Sequence, residues 1–153
     1  MTTDAVLRID PRTGLYDISI DESGGIEVDE FFDTAILYSI FGERRANERE
    51  VATPNLRRGW IGNLTNRTDF ENGSKLWLFE QARLTRSVMN RIADEARKSL
   101  QWMVDDAIAE SIDGATVTLN SDNVVVLSIT IRRSNDRIDN RLFDLWENTG
   151  VTR

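Results

Sequence analysis

The chain has 153 residues, 40% hydrophobic and 29% charged, with a net charge of −7 and neither histidine nor cysteine. That composition is that of a folded protein. It excludes disulfides, thiolate chemistry, Ser-His-Asp and Cys-His catalysis, and any imidazole or thiolate metal site.

The opening Met1-Thr2-Thr3-Asp4 has neither the basic nor the apolar segment of a secretory signal, so none is expected. Val6–Asp10 reads as a short strand stopped by Pro11, with a turn through Thr13-Gly14. Leu15–Ile20 alternates, with Tyr16, Ile18 and Ile20 on one face and Leu15, Asp17 and Ser19 on the other. Asp21–Gly25 is a turn from which Ile26-Glu27-Val28 pairs back as a hairpin. Residues 1–34 carry nine acidic side chains against Arg8 and Arg12, which accounts for the whole net charge. An acidic front on a neutral body is the opposite of a nucleic-acid footprint. It reads either as a solvated hairpin or as a match to a basic partner.

Asp29 is the expected N-cap of a first helix, with Glu30 and Asp33 in its first turn. Phe32, Ile36 and Ile40 recur every four residues, Leu37 and Phe41 widen the stripe, and Gly42 ends it. Residues 43–73 hold Pro54, Gly59, Gly62 and Gly73 and little apolar periodicity, which predicts a long ordered loop anchored by Trp60 and Phe70. The glycosylation-like triplets at Asn63, Asn66 and Asn72 are turn chemistry or chance. Ser74 is the expected cap of a helix over Lys75–Arg83 that buries Leu76, Trp77 or Phe79.

Thr85 is the expected cap of a long helix reaching Ser111 or Asp113, ended by Gly114. Val88, Ile92, Ala96, Leu100, Met103 and Ala107 form its apolar band, opposite a polar back. A helix of ~27 residues would be about 40 Å long, more than a small core requires, so part of its face is assigned to a partner. Ala115–Asn120 and Val124–Arg132, joined by Ser121-Asp122-Asn123, form the clearest hairpin. After a break at Ser134–Asp136, Leu142–Trp146 is a last apolar element, strand or short helix. No apolar run approaches the roughly 20 residues of a membrane span, so no membrane partner is expected. The pattern predicts one α+β domain over 1–153, with an acidic hairpin region at 1–29 and the loop at 43–73. Its antiparallel sheet is drawn from both chain ends, with two or three helices on one face. Val125, Leu127, Ile129, Ile131, Val88, Ile92, Leu100, Met103, Ile36 and Ile40 form the predicted core.

No phosphate-binding glycine loop is present, and no cofactor, metal or catalytic residue is assigned. The one carboxylate cluster, Asp105-Asp106 with Glu110, lies on the polar back of the expected helix. Trp77 and Trp102 sit among apolar residues as core or contact, whereas Trp60 and Trp146 lie outside the strong helices, where tryptophan serves as an interface anchor. Seventeen of the nineteen basic residues are arginine, a composition suited to protein interfaces or to a GC-rich genome.

Three tryptophan neighbourhoods, Arg58-Gly59-Trp60-Ile61-Gly62-Asn63, Gly73–Glu80 and Ser99–Asp106, stand behind Asp33–Ala46 on a chain lacking His and Cys. From about Leu15 onward this arrangement resembles the small wedge protein of Mu-like phage tail baseplates. The resemblance implies a non-enzymatic virion subunit, assembled in the host cytoplasm and resident in the inner baseplate of a contractile tail. Its implied partners are a larger wedge subunit, joined through a helical bundle, the tail sheath, and the central hub or spike proteins. Distant relatives template the sheath by lending a sheet edge, which is strand addition. Their Glu-Pro-Arg motif has no counterpart here, since no proline follows Pro54. The partner-binding residues expected on this basis are Trp60, Trp77, Trp102, Val124, Val126, Ser128, Thr130 and Trp146. The Val124–Arg132 edge would recruit sheath and make the isolated protein self-associate. A lysozyme-like activity attributed to relatives of these wedge proteins supplies the alternative, a carboxylate-dependent peptidoglycan-degrading domain built on Asp105, Asp106 and Glu110.

Overall fold

In the computed structural model, residues 4–29, 32–65, 71–133 and 135–148 are described; Glu30, Asn66, Phe70 and Ser134, named above, lie outside them. The chain forms two compact units, Met1–Ser39 and Ile40–Arg153.

In the first unit, Asp4–Ala5 (β1) pairs with Val28–Asp29 (β4), and Leu7–Ile9 (β2) pairs with Tyr16–Ile18 (β3), both antiparallel. The turn after Ile9 closes on Asp10, whose carbonyl accepts from the N–H groups of Thr13 and Gly14 (φ +70°), the conformation glycine adopts most readily. Ile20 bridges Ile26, and the Glu27 N–H donates to Ser19 O, so the second expected hairpin is present. Asp29 caps no helix because it is engaged in β4 opposite Asp4. The first helix, α1 (Asp33–Phe41), starts after Phe32, whose φ of +58° stops helical geometry from extending further back.

The second unit is built on a three-stranded antiparallel sheet in the order β5 (Ser111–Leu119), β6 (Val124–Arg132), β7 (Ile138–Glu147). The expected α+β class holds. The strands of the two chain ends do not join one sheet, however, because each pairs with a neighbour close in sequence, where loop closure costs least. Leu142–Trp146 resolves as part of β7. Helix α3 (Arg86–Ser99) packs along β5 and buries Ile92, Ala93, Ala96 and Ser99; the Thr85 hydroxyl caps it by accepting from the Val88 N–H at 3.3 Å.

Three helix expectations are corrected. The segment after Ser74 is a single 3₁₀ turn, Leu76–Phe79, with an α2 turn at Gly62–Thr65 upstream, rather than a helix to Arg83. The Ser74 hydroxyl donates to Ile40 O (2.6 Å), and the Lys75 N–H goes to the Glu95 carboxylate (2.9 Å) instead of starting a longer helix. Residues three apart eclipse in a 3₁₀ turn, so Leu76 and Phe79 are buried together. The expected long helix is present but bends at Leu100, where α3 passes into α4 (Gln101–Asp105), and it ends well before Ser111. Its stop is Ala107, left-handed at φ +57°. The Ala107 N–H donates to Val104 O (3.1 Å) and the Ile108 N–H to Met103 O (2.8 Å), the two bonds of a Schellman end. Gly114 instead lies inside β5, at a register shift after Ile112. The surplus helix length that suggested a partner strip is therefore absent.

Val125, Leu127, Ile129, Ile131, Ile92, Leu100 and Met103 are fully buried, as are Ile36 and Ile40 in α1. Val88 is only half-buried and Ala107 is exposed, since the helix stops before Ala107 can face the sheet. The largest correction concerns β6. It is the central strand, hydrogen-bonded to β5 on one side and β7 on the other, so it offers no edge.

Candidate protein-interaction surfaces

Among the described residues of 43–73, polar bonds hold the chain where apolar residues are few. The Arg45 guanidinium donates to Arg58 O (3.1 Å) and Pro54 O (3.0 Å), and Arg57 donates to Val51 O (2.8 Å) and Ala52 O (3.0 Å). The Asn63 amide donates to Asn72 O (2.9 Å) and accepts the Asn72 N–H (3.0 Å). Gly62 lies under the Trp60 ring, where an added Cβ would come within 2.1 Å of the ring. Gly59 (φ +106°), where a Cβ would come within 2.7 Å of Arg45, is likewise explained by close approach, and Trp60 remains 47% exposed.

Trp77 is half-buried: its indole N–H donates to Arg44 O (3.0 Å) and Arg58 lies 5.0 Å over its ring. Arg58 also pairs with Glu43 (3.0 Å) and Glu80 (3.4 Å). Trp77 and Trp146 line one small cavity of about 60 Å³, beside Phe41, which meets Phe143 edge-on at 6.1 Å. Trp102, half-buried on α4, and Trp60, on the loop, belong to neither wall of that cavity. The four tryptophans do not form one site.

The predicted residues Val124, Val126, Ser128 and Thr130 share one face of β6, half-buried, while their alternate neighbours are in the core. Register places Thr118, Thr116 and Gly114 beside them on β5, and Asp144, Leu142 and Asn140 on β7. This sheet face is apolar and hydroxyl-bearing at its centre. Leu142 is 73% exposed there, and the Thr130 hydroxyl bonds the Asn140 side chain at 3.0 Å. The residues singled out from sequence are thus positioned as a face rather than as an edge. Leu142 and Asn140 were missed, although the alternation of β7 marks them. Among the described residues the outer edge of β7 has no strand partner. The Arg133 N–H donates to Arg137 O, and strict alternation from that pair turns the N–H groups of Asn140 and Leu142 outward. By the same alternation, running from the Asn120–Val124 pair, the Val126 and Ser128 N–H groups are committed to β5.

A second concavity, about 530 Å³, opens beside α3. Its floor is Leu78, Phe79, Ala82 and Val88, and the Arg91 guanidinium lies 5.1 Å over the Phe79 ring. Carboxylates in its wall are already engaged: Glu50 with Lys75 (2.8 Å), Glu95 with Arg44 (3.5 Å) and Asp94 with Arg97 (2.9 Å). Burial pushes the Glu50 carboxyl up, but the Lys75 ammonium, the Asn47 N–H and the charge of Arg44 outweigh it and hold the group below its usual range.

The carboxylate cluster dissolves on inspection. Asp105 accepts from the Gln101 side chain (3.1 Å), the chain leaves the helix at Ala107, and the Glu110 N–H donates to Arg132 O. Asp105 and Glu110 therefore no longer share a helical face, and none of the three is buried. Among the described residues no group of three or more acidic side chains is placed to hold a metal ion. No helix among them is long and apolar enough to cross a membrane.

Comparison with known proteins places these features in a lineage. The chain is 32% identical over 85 residues to the Mu-like prophage FluMu protein gp46 of Haemophilus influenzae, a match covering 56% of each chain. The chain thus spans little more than half the length of that curated relative. The family model for phage protein GP46 matches residues 32–138, from the start of α1 to the start of β7. Most of the chain lies inside that match: it belongs to the phage protein GP46 family and is a Mu-like phage protein.

Proposed function

We propose that the chain is a non-catalytic structural subunit of the inner baseplate of a contractile phage tail or tail-like particle. In this reading it binds the larger wedge subunit through the open face of its three-stranded sheet and recruits sheath through the free edge of β7. The observation that carries the reading is that face: Val124, Val126, Ser128, Thr130 and Leu142 form an apolar and hydroxyl-bearing patch, with Asp144 at its margin, beside a β7 outer edge that has no strand partner among the described residues. Such surfaces on phage proteins suit assembly contacts, where apolar side chains supply affinity and main-chain bonds extend a sheet. The tryptophan pair Trp77 and Trp146 fits as internal support for β7, and Trp60 as a peripheral contact.

The test is incorporation into particles of the phage that encodes it. Leu142→Asp with Val126→Asp places two charges on the face, and Asn140→Pro removes one outward N–H from the β7 edge without touching the β6 ladder. The face variant should be lost from purified baseplates, whereas the edge variant should join baseplates that fail to nucleate sheath. Wild-type protein missing from purified tails, or normal assembly by both folded variants, would refute the assignment.

A further inference from the structure

The chain carries two surfaces of complementary character. In the N-terminal unit, register and alternation put Ile9, Tyr16 and Ile18 on one face, continued by Ile20, Ile26 and Val28. All six are between 49% and 59% exposed, an unusual density of exposed large apolar side chains for so short a segment. The opposite face is polar, with Arg8 bonded to Glu27 (2.7 Å) and Ser19 to Glu27 (2.5 Å). The N-terminal unit as a whole carries the entire net charge of −7. In the C-terminal unit, the groove beside α3 has an apolar floor. Its carboxylates are paired, while Arg49, Arg91 and Lys98 have no carboxylate partner among the described residues. The result is an apolar trough whose lining charges, Arg49, Lys75, Arg91 and Lys98 against Glu50, Asp94 and Glu95, sum to +1, in a unit whose charges balance overall. At about 530 Å³ it has room for several side chains.

We propose that the apolar face of the acidic N-terminal unit of one copy docks into this cation-rimmed groove of a second copy, so that the chain associates head to tail. Apolar side chains would fill the trough while Asp21 and Glu22, in the turn that joins Ile20 to Ile26, meet the cationic rim of Arg49, Arg91 and Lys98. A heterologous contact of this kind uses different surfaces on the two copies and extends to a ring or a filament. The inference rests on these two surfaces alone and stands whether or not the baseplate assignment does.

The decisive experiment is complementation between two full-length variants. Arg91→Glu with Lys98→Glu disables the groove, and Tyr16→Ser with Ile20→Ser disables the apolar face; all four positions are exposed. Sedimentation equilibrium should show the wild type associating, with roughly tenfold weaker association on moving from low to high salt. Each variant alone should weaken association at least tenfold, and an equimolar mixture should recover a one-to-one dimer through the intact surface of each. If Tyr16→Ser with Ile20→Ser fails to fold by circular dichroism, Glu22→Lys in the adjoining turn replaces it and should likewise be rescued by the groove variant. A wild type that stays monomeric at all concentrations overturns the proposal. So does association unchanged in the variants, or a mixture that fails to recover the dimer.

Discussion

The left-handed stop at Ala107 and the glycine seven residues beyond it give opposite signs to two simple substitutions. Ala107 holds φ +57° at an exposed position, so its methyl group gains little from packing. An alanine in that conformation costs about 1–2 kcal/mol, which glycine avoids. Glycine costs about 0.4–1 kcal/mol more in unfolded-chain entropy. Ala107→Gly should therefore be neutral or stabilise by up to about 1.6 kcal/mol, or up to about 6 °C in Tm for a chain of this size. Gly114 is not left-handed, and a Cβ there would meet Thr130 no closer than 4.0 Å. Gly114→Ala should therefore be neutral or stabilise by up to about 1 kcal/mol. All four tryptophans lie in Ile40–Arg153, so denaturant titration followed by tryptophan fluorescence reports that unit specifically. A helix that ran on to Gly114 would reverse both signs. Destabilisation by Ala107→Gly together with a loss of 1 kcal/mol or more in Gly114→Ala would refute the Schellman stop.

Ile92→Ala and Leu100→Ala, at fully buried positions, should each cost about 2–5 kcal/mol, against under about 1.5 kcal/mol for half-buried Val88→Ala. Equal losses at all three in urea titrations would show that the burial gradient along α3 is wrong. The Ser111 hydroxyl and the Arg132 guanidinium hold the Asp113 carboxyl below its usual range. A depressed folded-state pKa gives stability that is present above the unfolded value near 3.8 and lost as pH falls through the folded value. Asp113→Asn should therefore flatten the acid limb of a stability-versus-pH curve below about pH 4, and an unchanged limb would remove Asp113 from it. In a peptidoglycan zymogram the wild type should give no clearing. Clearing abolished by Asp105→Asn or Glu110→Gln would replace the structural role with a muralytic one.

Alternation and periodicity were sufficient for much of the molecule, because a residue's face follows from its position in a strand or helix. Val125, Leu127, Ile129 and Ile131 were legible as one buried row, and Thr85 as a cap, from local pattern alone. So were the chemistry that the missing His and Cys exclude and the acidic character of the first unit. Strand order was not legible. Alternation shows that β6 has a buried face, but only tertiary pairing makes it the middle strand, since β7 could have been a helix on sequence evidence. That single fact moves the available N–H groups, and with them the proposed strand addition, from Val126 and Ser128 to the outer edge of β7. The helix end was equally hidden: glycine is the ordinary signal for a left-handed stop, yet here alanine adopts it, held by the Met103 and Val104 carbonyls and by the start of β5. Residues 43–73 show the same division. Trp60 pointed to an anchored loop, whereas among the described residues the bonds that hold it run from arginine side chains to carbonyls elsewhere in the loop, a geometry with no sequence period.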